Sequence, residues 1–404
     1  MISRQLFAKT IVLAMAGSVW CFVLALVAWE RADPWHRTAI ASNHTPVHTF
    51  QTRLPSPQRG RGAGGEGHPR AVIYSLRSSE ATPERRSDQS PLAKSEPTSL
   101  EFSPPLGIPA VPIPKGSPLT QERIDLGRLL FFDPRLSSDE SISCASCHNP
   151  EQAFVDNEVT SRGIGGKKGT RNTPTVINAA LQPYQFWDGR ASSLEDQVLL
   201  PLENQLEMGG SVSRIVDRLN QLPQYRDAFR RVFGAPVTRE NLAQALASFE
   251  RTVLAGNSAY DRYAAGNPTA LSSKAVEGMK LFEGKANCRL CHQGDTFSDG
   301  LFHNLGVGWN GSGFADEGRK ALTGIVKDRG AFKTPTLRQV AQTGPYMHDG
   351  SLPSLEVVVD FYNRGGKSNP HLDPLMQPLR LTPQEREALV EFMRSLSGKV
   401  SFYR

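Results

Sequence analysis

The sequence predicts a mainly α-helical protein built from two similar halves with long loops. Three observations carry this expectation. Apolar residues recur at helical spacing behind capping residues, no series of alternating segments marks hairpins, and a set of short motifs occurs twice in the same order.

The 404 residues leave room for two domains once a tail is set aside. Arg4 and Lys9 precede an apolar run from Ile11 to Trp29, followed by Glu30 and Arg31. Such a run is close to bilayer-spanning length and reads as an export signal. Leu26-Val27-Ala28 is a poor cleavage site, so residues 1–32 fit both a cleaved signal and a retained membrane anchor. Cys21 has no lipobox before it. Residues 33–103 are rich in Pro, Ser, Arg and Gly without apolar periodicity, and read as a disordered linker. The first 100 residues hold 12 basic and 7 acidic side chains, against 34 and 33 in the remainder. The net charge of +6 therefore sits mainly in the tail, which gives no support for nucleic-acid binding, since that needs a basic face on the folded part.

The body divides into residues 104–255 and 256–404. Thr120 is placed to cap a helix carrying Ile124, Leu129 and Leu130. Thr238 is placed to cap one carrying Leu242, Leu246, Phe249 and Val253. Thr382-Pro383 opens a last helix through Leu389, Phe392, Met393 and Leu396, with Gly398 as its expected stop.

The repeat is specific. Gly127-Arg-Leu-Leu-Phe131 recurs as Gly278-Met-Lys-Leu-Phe282, and Phe154-Val-Asp156 as Phe297-Ser-Asp299. Thr173-Pro-Thr175 recurs as Thr334-Pro-Thr336, Trp187-Asp-Gly189 as His348-Asp-Gly350, and Leu194-Glu195 as Leu355-Glu356. From the first Thr to the Asp is 15 residues in both halves, and from that Asp to Leu-Glu is 6 in both. An internal duplication explains this order and spacing.

Cys144-Ala-Ser-Cys147-His148 and Cys288-Arg-Leu-Cys291-His292 are both C-x-x-C-H, the pattern of c-type haem attachment. Two thiols one turn apart add to the haem vinyl groups, and the adjacent imidazole is held under the iron. Paired zinc knuckles usually lie some tens of residues apart and do not call for the extra His, whereas these pairs are 144 apart. The predicted fold is thus two cytochrome c-like haem domains.

The repeat also compares the distal sides. Thirteen residues after Asp349 stands Tyr362; thirteen after Asp188 stands Pro201, which cannot ligate. If the positions correspond, one haem faces a phenol and the other an open coordination position; an ordinary helix-face aromatic is the alternative for Tyr362. Near Pro201 lie Gln197 and Glu207. A carboxyl group over an open iron is suited to shuttle a proton, though Glu195 and Glu203 are acids of the same stretch. Trp187 stands where the other half has His348, as an electron relay or as a plain core indole.

These stretches resemble the bacterial dihaem cytochrome c peroxidase family, including its MauG-like branch, over residues 104–400. The resemblance rests on Arg171-Asn-Thr-Pro-Thr175, Phe186-Trp-Asp-Gly-Arg190, Thr334-Pro-Thr-Leu337 and Pro345-Tyr-Met-His-Asp-Gly350. It implies that the haem on Cys144, Cys147 and His148 meets hydrogen peroxide. The haem on Cys288, Cys291 and His292 would receive electrons. It implies that Trp187 lies between the haems, that Glu207 and Gln197 are the distal pair, and that His348 lies beside the second haem. It also implies a calcium ion held by Asn172, Thr343 and Pro345. Many members close the first haem with a His in the loop before the Arg-Asn-Thr-Pro stretch; here Ile164 stands there. Many have Met above the second iron; here Tyr362 stands there, as in the MauG-like branch.

The resemblance therefore implies a periplasmic oxidoreductase that reduces hydrogen peroxide with electrons from a small cytochrome c or cupredoxin. One alternative is a MauG-like enzyme that oxidises side chains of a protein substrate. A non-catalytic dihaem electron carrier is a further alternative, opposed by Ile164 and Pro201.

Overall fold

A computed structural model describes residue 100 and residues 102–402. The apolar run at Ile11–Trp29 and nearly all of the linker lie outside the described residues. Among the described residues no helix is long and apolar enough to cross a membrane.

In chain order the helices are α1 (Gln121–Phe131), α2 (Cys144–Cys147), α3 (Leu194–Glu203), α4 (Val212–Gln221), α5 (Pro223–Phe233), α6 (Arg239–Glu250), α7 (Ala259–Ala264), α8 (Ser273–Glu283), α9 (Lys320–Thr323), α10 (Leu355–Asn363) and α11 (Pro383–Arg394). The strands are β1 (Leu254–Gly256), β2 (Phe302–His303), β3 (Phe332–Lys333) and β4 (Lys399–Ser401). They form two antiparallel pairs, β1 with β4 and β2 with β3. The fold is mainly helical with long loops, as the sequence predicts.

The caps lie where the sequence puts them. The hydroxyls of Thr120, Thr238 and Thr382 accept hydrogen bonds from the backbone N–H of Arg123, Asn241 and Glu385. Each satisfies a free helix-start donor and contributes about 1 kcal/mol. Gly398 is not the stop of α11, which ends at Arg394. It lies instead against the strand pair, where an added Cβ would come within 2.1 Å of the Gly256 carbonyl oxygen. A tertiary contact, not a helix end, requires that glycine.

One crossing is built twice. α1 packs across α6, and α8 packs across α11. A Cβ on Gly127 would meet the Ala245 oxygen at 1.8 Å, and one on Gly278 the Ala388 oxygen at 1.9 Å. The absence of a side chain lets each helix pair approach closely. Phe131 then packs against Phe249 at 5.0 Å, and Phe282 against Phe392 at 5.1 Å, with the ring planes inclined by 57° and 60°. These four rings anchor the two cores, and each such burial contributes about 1.5–3 kcal/mol.

The halves differ in what they insert. The first places α4 and α5 between α3 and α6, and the second carries β2, α9 and β3 before its Thr334-Pro-Thr336 motif. The last described residues return to the first half, where Phe402 packs on Phe154 and Phe249.

Candidate functional site

The two thiol pairs sit on single helical turns. α2 carries Cys144 and Cys147, and a 3₁₀ turn at Cys288–Leu290 leads to Cys291. The backbone N–H of His148 donates to the Cys144 oxygen and that of His292 to the Cys288 oxygen, both at 2.9 Å. Each imidazole therefore follows its thiols in a fixed direction. His148 Nδ1 meets the Phe154 carbonyl oxygen at 3.2 Å, and His292 Nδ1 meets that of Phe297 at 2.9 Å. A backbone acceptor on Nδ1 fixes the tautomer and leaves Nε2 for a metal. Burial holds both imidazoles below their ordinary pKa, in the neutral form a ligand needs. All four thiols are free of disulfides, and burial raises those of Cys144, Cys147 and Cys288.

The second thiol pair opens into a cavity of about 270 Å³. Its apolar walls include Phe282, Leu337, Val359 and Leu389, while Cys288, Cys291 and His292 supply the thiols and imidazole. Tyr362, His348, Trp187, Asn172, Thr343 and Pro345 line the same cavity. Thiols, a neutral imidazole and an apolar slot are the donor set that haem c requires.

α3 and α10 correspond in position, each opening after a serine whose hydroxyl accepts from the third helical N–H, Ser193 and Ser354. Pro201 and Tyr362 occupy the same place in the two helices, as do Gln197 and Val358. Burial raises the Tyr362 phenol well above its ordinary pKa, and the Cys288 and Cys291 thiols add to this. Gln197 Oε1 is buried without a hydrogen-bond partner.

Glu207 lies in the turn after α3, where Asn204 Nδ2 donates to its Oε1 at 2.6 Å. Burial raises its carboxyl above the usual range, opposed by the charge of Arg190 and by the Asn204 bond. The Glu207 charge in turn raises Cys147, so this carboxyl acts on the first thiol pair. Glu207 and Gln197 do not line the cavity at Cys288; Trp187 does.

The loop with Ile164 is fastened to the Glu207 turn. Ile164 N–H donates to the Glu207 oxygen at 2.9 Å, Lys167 Nζ donates to the Gln205 oxygen at 3.1 Å, and the Ile164 side chain packs on Gly209.

Trp187 is pinned through its indole N–H, which donates to the Asn172 oxygen at 2.9 Å. Asn172 N–H donates to the His348 oxygen at 2.8 Å. His348 is buried, stacks on Phe332 at 3.5 Å, and is pushed down to about 4 by burial. Arg171 binds Asp188 and, in the second half, Asp316, both at 2.6 Å. The motifs singled out in the sequence thus meet between the halves.

Sequence reasoning missed several groups. Glu250 is a buried carboxyl pushed up to about 8 by desolvation, and its charge raises Cys144. His303 sits between Asp373 at 2.7 Å and Asp299 at 3.0 Å. Lys333 and Gln182 line the cavity. None belongs to a motif, and only the duplicated positions draw attention to Glu250, where the second half has Met393.

Two thiol pairs, each with a neutral histidine fixed by a backbone carbonyl, define a c-type cytochrome with two haem sites. A family model described as di-haem cytochrome c peroxidase matches residues 121–269, and a cytochrome c model matches residues 275–397. The methylamine utilization protein MauG of Methylorubrum extorquens is 41% identical over 292 residues, covering 72% of this chain and 82% of that protein. A cytochrome-c peroxidase of Pseudomonas sp. (strain SCT) is 39% identical over 332 residues, covering 74% and 87%. A crystal structure of a MauG-like protein associated with microbial copper homeostasis superposes with a TM-score of 0.68 at 32% identity, covering 74% and 96%. The chain belongs to the di-haem cytochrome c peroxidase family. It is an oxidoreductase of the peroxidase type that carries haem c.

Proposed function

We propose that the chain reduces hydrogen peroxide at the site of His148 and takes electrons in at the site of His292. The observation that carries this reading is the divergence of one helix position, Pro201 in α3 against Tyr362 in α10. Haem iron supplies the redox chemistry that cleaves the O–O bond. The protein side chains supply the rest. Glu207, raised by burial and oriented by Asn204, takes a proton from the near oxygen of peroxide and returns it to the departing oxygen. Gln197 offers its unpartnered Oε1 to a peroxide O–H. Pro201 offers no ligand, and Ile164 leaves the loop that it anchors without one. The overall change consumes one peroxide, two electrons and two protons and yields two waters.

Trp187, held by Asn172 and lining the second cavity, is placed to pass electrons between the sites. His348 lines the same cavity and would lie beside the second haem. Tyr362 lies in a pocket that disfavours a bare phenolate, so it ionises only against a cation such as ferric iron. Asn172, Thr343 and Pro345 all line the cavity and offer side-chain amide and backbone oxygens, a donor set that suits calcium. The apolar run at Ile11–Trp29 supports a periplasmic location. A small cytochrome c or cupredoxin is the electron donor.

A second reading, oxidation of a partner protein's side chains, is favoured by Tyr362, which stands where many peroxidases have Met, together with the fastened loop whose Ile164 stands where they have the closing His.

Replacing Glu207 by Gln is the decisive experiment. Peroxide-dependent donor oxidation should fall about 10²–10⁴-fold, while the resting haem spectrum stays as it is. Unchanged turnover would remove Glu207 from the reaction. Paramagnetic resonance of the as-isolated ferric protein should show one high-spin centre that responds to one equivalent of peroxide. Two low-spin centres would mean that another residue closes the first site.

A further inference from the structure

Lys333, on β3, is an amine without a counter-ion. Its Nζ makes one long contact, 3.5 Å to the Thr334 oxygen, and no carboxylate of the described residues lies within ion-pairing distance. Desolvation pushes it down to about 8, with Asp299 the acid that opposes the shift. Lys333 also lines the cavity into which Cys288, Cys291 and His292 project.

Gln182 reaches the same wall from the first half. Its Oε1 lies 3.2 Å from Ser298 Oγ, whose single proton goes to the nearer Thr334 oxygen at 2.7 Å. The Thr334 oxygen thus links the two groups: Lys333 contacts it directly, and Gln182 reaches it through Ser298. Gln182 Nε2 is buried with no hydrogen-bond partner. A buried donor without an acceptor and a half-buried ammonium without an anion are both costly. Both costs are offset by one ligand, a carboxylate entering from the cavity.

We propose that Lys333 and Gln182 form the receptor for a propionate carboxylate of the haem attached through Cys288 and Cys291. Because Gln182 belongs to the first half and Lys333 to the second, that propionate ties the halves together. The inference rests on haem attachment at Cys288 and Cys291, and is independent of the roles given to Glu207 and Tyr362.

The test uses the holoprotein and Lys333→Met. Haem content is measured first, and two haems per chain establish attachment. Each haem is then followed by its own paramagnetic signal during redox titration, and the propionate bending modes are read by resonance Raman. Loss of the ammonium should lower the midpoint potential of the haem on His292 and shift its propionate mode, with the haem on His148 unmoved. Lys333→Arg should restore most of the potential, and Gln182→Leu should shift the same Raman mode with a smaller change in potential. Unchanged potential and Raman mode in Lys333→Met with both haems attached would overturn the proposal. A shift confined to the haem on His148 would overturn it too, by giving the carboxylate to the other cofactor. If Lys333→Met does not fold, the Raman modes of Lys333→Arg and Gln182→Leu decide the matter in the same way. One haem per chain would instead refute the attachment on which the proposal rests.

Discussion

In the first half Arg251, just after α6, meets Glu195 on α3; in the second Arg394, at the end of α11, meets Glu356 on α10. Both pairs close at 2.8 Å. They are one ion pair inherited twice, yet the first is nearly buried, with 6% and 20% of the side chains exposed, and the second stands in water at 55% and 56%. The same division runs through the molecule. The glycine crossing, the inclined phenylalanine pair, the carbonyl beneath each histidine and the serine cap before α3 and α10 are all kept. Gln197 against Val358, Pro201 against Tyr362 and Glu250 against Met393 are not. Duplication preserved what holds the scaffold and the histidine after each thiol pair, and let the positions of Gln197, Pro201 and Glu250 diverge from Val358, Tyr362 and Met393.

The comparison breaks most sharply if the distal difference is erased. Pro201→Tyr gives the first half the phenol of the second, and peroxide turnover should fall at least about 100-fold as the high-spin signal disappears. A steady-state assay and the resting resonance spectrum check it. Survival of both would mean that the position does not face the iron.

Next in size are the two ion pairs. Arg251→Met leaves Glu195 without its partner and should cost about 3–5 kcal/mol in denaturant unfolding. Arg394→Met should cost about 0–1 kcal/mol. Equal losses would refute the burial argument.

At the duplicated crossing the expected effects are smaller and alike. Gly127→Ala and Gly278→Ala each force a Cβ against a backbone oxygen, and each should cost about 1–3 kcal/mol. A harmless Gly278→Ala beside a damaging Gly127→Ala would show that the two crossings are not equivalent.

The last effect is one of slope, spread over several pH units. Glu250, held up at about 8 against an ordinary 4.5, stays protonated in the folded chain while the unfolded chain ionises. Stability should therefore fall by about 1.4 kcal/mol per unit as pH rises through that window. Below it, both states are protonated and the effect vanishes. Glu250→Gln should flatten the profile between pH 4.5 and 8. A profile of unchanged slope would show that Glu250 is ionised in the fold.

The haem attachment residues, the caps and the duplication were legible because each is local or is read by counting along the chain. Tyr362 and Pro201 could be aligned from the sequence, since α3 and α10 start at matched distances from their Asp-Gly turns. Gly398 was misread as a helix stop because its role depends on Gly256, distant in sequence. Glu250 was invisible because only packing decides whether a carboxyl at the end of an apolar helix meets water or a thiol. Lys333 and Gln182 come together through Ser298, a meeting that no spacing rule encodes.

The strand pair of β1 and β4 sets an order of assembly. Leu254 pairs with Ser401, and Phe402 closes over Phe154 and Phe249 of the earlier half. That half therefore cannot complete its wall until residues 399–402 have left the ribosome, a late and long-range closure. Clipping the polypeptide at residue 399 should loosen the surroundings of His148 before those of His292, although the cut lies nearer to His292 along the chain.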